Sequence, residues 1–138
     1  MKAKTILRWC AVPFAAGFGA FISYFLISLW VKGNIYGFQI YNGEQIGSIT
    51  QILLAIAAQA IFGGAFVYCG TIVAPANRRI CAVVLSTVIS LISIISLLTF
   101  IVIYGFTFMQ LVHCAATAIG AIGAAKFLWD DATVEAAI

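Results

Sequence analysis

The stretch "TFIVIYGFTFMQ", residues 99–110, decides the fold. An apolar run over about 80–103 leads into Tyr104-Gly105, and a second over about 106–128 leaves it. If the pair were helical, the two runs would form one rod of about 50 residues, roughly 75 Å long. A bilayer offers only about 30 Å of hydrocarbon. Gly105 lacks a Cβ and reaches positive φ without a steric penalty, so the short link predicts an antiparallel helical hairpin.

Outward from the hairpin, composition names the solvent. The chain has 138 residues, 64% of them hydrophobic and 8% charged. Soluble domains carry about 25% charged residues, so lipid must cover most of this surface. A span takes about 20 apolar residues. Four fit, over about 9–31, 49–74, 80–103 and 106–128, as a single membrane domain covering 1–138. The expected architecture is an all-α integral membrane protein, a four-transmembrane-helix bundle. Its start, with Lys2, Lys4 and Arg8 before an apolar run, resembles a signal peptide. That run exceeds the roughly 7–15 residues of a signal core, which predicts an uncleaved helix with Pro13 in its first turn.

Basic residues predict orientation. With the first end inside, Lys2, Lys4, Arg8, Arg78, Arg79 and Lys126 all face the cytoplasm and only Lys32 lies outside, a strong positive-inside bias. Both termini are therefore expected to be cytoplasmic, in a bacterial inner membrane. Trp9, Trp30 and Trp129 fall where indole rings anchor at the interface. Arg78 and Arg79 also suit lipid headgroups. The net charge of +3 forms no basic stripe, so no nucleic-acid surface is expected. The 32–48 segment reads as a short outer loop. Asn42-Gly43 between "FQIY" and "EQI" suggests a hairpin on the membrane surface, with an irregular loop as the alternative.

Helical periodicity gives each span one small or polar stripe: Cys10, Gly17, Tyr24 and Ser28; Gln59, Gly63, Phe66 and Gly70; Ala82, Ser86, Ser90 and Ser93; Gln110, His113, Thr117, Gly120 and Ala124. Such stripes let helices approach closely, and hydroxyls are expected to bond across the gap. The spacing Ala116, Gly120, Ala124 is left over for a second copy, so a homo-oligomer or larger membrane complex is expected. At about 1.5 Å rise per residue, Tyr24, Gln59, Ser96 and His113 share a layer about 10 Å below the outer helix ends. The expectation is that this layer, with Gln110 beside it, is packed shut, its groups satisfying one another.

His113 is the only histidine. An intramembrane ionisable residue is a candidate for proton transfer or ligand binding, against a neutral imidazole bonded in a helix interface. Metal ligation needs about three or four ligands, and Cys114 lies about 100° away on the helix. Cys10, Cys69 and Cys81 lie near the inner ends without CxxC spacing, and read as packing residues. No acidic residue lies inside a span, so no catalytic constellation, metal site or cofactor is expected. The chain reads as a non-catalytic accessory, assembly or interaction subunit acting through helix packing and the 32–48 loop. The alternative is a small oligomeric channel or carrier whose path is lined by Tyr24, Gln59, Ser96 and His113.

Overall fold

A computed structural model describes residues 3–42, 48–74 and 77–135, with side chains over 6–33, 49–74 and 77–130. The described chain is all-helical: α1 (Ala3–Asn42), α2 (Ser48–Val73), α3 (Arg78–Tyr104) and α4 (Phe108–Glu135). Each holds a stretch long and apolar enough to cross a membrane, Ile6–Gly33, Ile49–Val73, Arg78–Tyr104 and Phe108–Asp130.

The hairpin at Gly105 forms as the sequence predicts. Gly105 has φ 83° and ψ 170°, and its N–H donates to the Ile101 carbonyl at 3.0 Å. Only glycine occupies this region readily, and an L-residue held there costs about 1–3 kcal/mol. A Cβ at Gly105 would meet nothing within 4 Å, so the penalty is purely torsional. Gly105→Ala should lower the unfolding free energy in mixed micelles by about 1–3 kcal/mol; an unchanged midpoint would show that the link relaxes freely. At the opposite end Asn77 takes a left-handed conformation (φ 52°, ψ 48°), and its carbonyl accepts the Cys81 N–H at 3.1 Å. Asparagine tolerates this region better than other L-residues.

The helices alternate up and down. Val12 and Ala16 of α1 lie by Gly70 near the end of α2. The Arg79 guanidinium, at the start of α3, sits 5.5 Å from the centre of the Trp129 ring near the end of α4. Arg8, Arg78, Arg79 and Lys126 therefore gather at one end of the bundle and Lys32 lies toward the other. The apolar core sits in the basic half, built from Val12 and Ala16, Val67 and Ala74, Cys81, Ala82, Leu85 and Ile89, and Ala121. Thr71 is fully buried there, its hydroxyl donating to the Val67 carbonyl at 2.6 Å.

α2 is the hub, approached by α1, α3 and α4, while α1 comes close to α2 alone among the described residues. The closest crossing is α2 on α4. A Cβ at Gly63 would overlap the Thr117 carbonyl, and one at Gly120 would overlap the Ala60 carbonyl. Two backbones meet here because neither helix carries a side chain between them.

Several expectations are corrected. α1 does not give way to a loop or hairpin at Lys32 but continues as helix to Asn42; an Asn-Gly pair ends a helix as readily as it turns a strand. Residues 43–47, and the side chains of Tyr36, Phe38 and Tyr41, lie outside those described. Because α1 starts at Ala3, Pro13 is well inside it rather than in its first turn, and removes the N–H that would reach the Trp9 carbonyl. The packed face of α1 is Val12, Ala16, Gly19 and Ala20, whereas Cys10, Gly17 and Tyr24 are exposed. Hydroxyls of Thr71, Ser86, Thr87, Ser90 and Thr99 donate to carbonyls three or four residues back in their own helices rather than across the gap, whereas Thr117 reaches both the His113 carbonyl of its own helix and Gln59 across the gap. Finally, the Ala116, Gly120, Ala124 stripe is used within the chain: Ala116 is buried, Gly120 meets Ala60, and Ala124 lies near Gly64.

Candidate functional site

In the half of the bundle away from the basic end, α2, α3 and α4 diverge around a cavity of about 540 Å³. The sequence of each helix explains the divergence. Along α2, the small Gly70, Gly64 and Gly63 give way to Phe62 and Gln59; along α4, Gly120 gives way to Thr117, His113 and Gln110. The buried residues of α3, from Cys81 to Ile89, all lie in its first half. Backbones touch where side chains are absent and separate where they are large. The tight link at Gly105 keeps α3 beside α4, so the gap opens against α2.

The wall of this cavity is mixed. Phe62, Ile89, Ile92, Leu97 and Phe100 supply apolar surface, and Gln59, Ser93, Ser96, Gln110, His113 and Thr117 supply polar groups, with Cys114 beside them. Ile92, Ser96 and Phe100 are exposed, so the cavity opens sideways along α3. Among the described residues no Lys, Arg, Asp or Glu side chain lines it.

Of the sequence-derived layer, Gln59, Ser96 and His113 share this cavity together with Gln110, while Tyr24 does not. Tyr24 belongs to a second cavity of about 220 Å³, which it lines with Gln59 and Phe62. The Phe62 ring partitions the two, meeting Tyr24 edge-on at 5.9 Å between centroids and 82° between planes. The layer is therefore not packed shut, because the helices that carry it splay above the glycine crossing.

Polar satisfaction within the cavity is incomplete. The Thr117 oxygen lies 3.0 Å from the His113 carbonyl and 3.4 Å from Gln59 Oε1. One hydroxyl has one proton, and the shorter contact takes it. Turning the Gln59 amide so that its NH2 donates to the Thr117 oxygen satisfies the longer one. By contrast, His113 Nε2 and Gln110 Oε1 are buried atoms without a hydrogen-bond partner. Buried polar groups are paired in the great majority of cases, which sets these two atoms of cavity-lining residues apart.

Sequence reading missed Phe62 and Leu97, which are indistinguishable from lipid-facing residues in an apolar helix. Ser93 and Thr117 lay on the polar stripes and could have been placed by their spacing to Ser96 and His113. Among the described residues no three His, Cys, Asp or Glu side chains come together as a metal would require. Cys10, Cys69, Cys81 and Cys114 are free thiols, and Cys69 packs on Gly19. The basic residues Arg8, Arg78, Arg79 and Lys126 stand at the far end, away from the cavity.

Together these features describe an all-helical chain of the membrane-spanning type with a side-opening, uncharged cavity. Comparison with protein-family models, curated proteins and solved structures finds no match.

Proposed function

We propose that the chain is a four-span protein of the bacterial inner membrane with both termini cytoplasmic, which works without catalysis by holding a small membrane-soluble ligand between α2, α3 and α4. The carrying observation is the cavity itself. At about 540 Å³ it falls in the range of about 300–1,000 Å³ typical of small-molecule sites, mostly apolar with a few convergent polar groups. Its sideways opening suits a ligand arriving through lipid. The clustering of Arg8, Arg78, Arg79 and Lys126 at one end supports the orientation. A conduit through one copy is disfavoured, because beyond the cavity Val67, Thr71, Ala82 and Ala121 are buried and close-packed.

Native mass spectrometry of the protein taken from membranes into nanodiscs tests this reading. The wild type should carry an added small-molecule mass that Ser93→Phe, which fills the cavity, loses while remaining monodisperse. Bare protein in both forms would remove the support for a ligand site.

The accessory-subunit reading keeps one observation in its favour. Among the described residues α1 approaches only α2, and its helix continues beyond the apolar stretch ending at Gly33 to Asn42. A free flank and a helical extension suit a membrane partner or a second copy. A stoichiometric protein recovered with the chain from native membranes would favour it.

A further inference from the structure

The two orphaned atoms define what kind of head group the cavity receives. Gln110 and His113 are three residues apart on α4, which places their Cβ atoms about 5–6 Å apart on one face. Both line the same cavity, and the unpaired atoms are Gln110 Oε1 and His113 Nε2. A hydroxyl both donates and accepts, so it meets this pair whichever way the Gln110 amide is turned and whichever ring nitrogen of His113 carries the proton.

Resting on the reading of the cavity as a ligand site, the geometry points to a neutral, hydroxyl-headed, single-chain amphiphile of the long-chain alcohol class. The hydroxyl donates to Gln110 Oε1 and accepts from His113 Nε2–H. One hydroxyl oxygen with two hydrogen bonds of about 2.8 Å bridges atoms about 4.5 Å apart, within reach of two side chains whose Cβ atoms lie about 5–6 Å apart. Other heads fail on chemistry. An ether, ester or ketone cannot donate and leaves Gln110 Oε1 unmet at a cost of about 1–3 kcal/mol. An ammonium would bring a positive charge into a wall that, among the described residues, has no Asp or Glu side chain to offset its desolvation.

The tail follows from the wall. Phe62, Ile92, Leu97 and Phe100 form the apolar part, and Ile92 and Phe100 are exposed at its mouth. A chain anchored at His113 and Gln110 therefore leaves between α2 and α3 toward the surrounding acyl chains. Gln110 and His113 lie two and five residues after Phe108, where α4 begins, so the head rests roughly 3–8 Å below that end of the helix.

The experiment uses the full chain in nanodiscs and three photoreactive probes of equal chain length: a primary alcohol, its methyl ether and the corresponding trimethylammonium. Labelled peptides are read by mass spectrometry. The alcohol should label the cavity-lining parts of α3 and α4 about tenfold more than the ether, as the loss of a buried hydrogen bond implies. Gln110→Leu and His113→Phe should each bring alcohol labelling down to the ether's level, and Gly123→Ala, where a Cβ meets nothing, should leave it unchanged. Equal labelling by alcohol and ether, or preference for the charged probe, overturns the hydroxyl assignment while leaving the ligand-site reading standing. Absence of cavity labelling by all three overturns both and leaves water as the partner of the two atoms. The comparison of probes on the wild type decides the matter even if a variant misfolds.

Discussion

Gly120→Val should produce the largest loss of stability of any single substitution in the described helices. A Cβ at residue 120 would overlap the Ala60 carbonyl, and its reciprocal at Gly63 would overlap the Thr117 carbonyl. Both obstacles are backbone, which cannot rotate aside as a side-chain tip does. Overpacking typically costs about 1–3 kcal/mol, and a clash with main chain belongs at the upper end, about 3 kcal/mol. Unfolding in mixed micelles should show it, together with loss of cooperativity between α2 and α4. Gly123→Ala and Gly17→Ala provide the contrast, since a Cβ there meets nothing within 4 Å. Both sit inside helices, where alanine is favoured over glycine by about 0.5–1 kcal/mol. If Gly120→Val and Gly123→Ala behaved alike, the close crossing would be refuted.

Phe62→Ala should be the second largest effect, and it acts on the site. The ring is the partition between the cavities of about 540 and 220 Å³, and it carries the edge-on contact to Tyr24. Phe→Ala in a core costs about 3–5 kcal/mol; Phe62 is only partly buried, so about 2–3 kcal/mol is expected. The aromatic contact contributes about 0.5–1.5 kcal/mol of that, measurable as the coupling between Phe62→Ala and Tyr24→Ala in a double-mutant cycle. Additive losses would mean that the two rings do not communicate. The variant should also join the cavities and admit bulkier occupants, read as retention of larger masses in native spectra.

What was legible in the sequence follows from what lipid does and does not encode. The spans could be located because about 20 apolar residues are needed whatever the packing, and Gly105 could be assigned its turn because the alternative rod exceeds the bilayer. The face of α1 could not, because in lipid an outward Phe and an inward Phe cost alike. Small residues occur on two sides of that helix, Ala16 and Ala20 on one and Gly17 on the other. The helical run from Lys32 to Asn42 was hidden by Asn42-Gly43, whose two structural meanings differ only in what precedes it.

The site was half legible for a different reason. A helical wheel gives the direction of Gln59, Ser96, Gln110 and His113 but not the distance between the helices that carry them. That distance is controlled one to three turns away, by Gly63, Gly64 and Gly120. Inward-pointing groups at equal depth were expected to touch, and the wedge set by the glycines holds them apart. Tyr24 fails to join them because α1 lies beyond α2, behind the Phe62 ring.

The hub position of α2 also bears on how the chain is made. α1 and α2 are neighbours in sequence and in space, so they can pair as soon as the first half has left the ribosome. The glycine crossing needs α4, which is synthesised after the other three helices. Until then Gly63 and Gln59 face either lipid or a helix of the insertion machinery, with Thr117 not yet in place beside them. The α3–α4 hairpin, fastened at Gly105, must then dock on α2 as a preassembled pair. Slowing synthesis between α2 and α3 should therefore prolong a half-built state in which the side of α2 destined for α4 is exposed, and that face is where quality-control proteases of the membrane would find it.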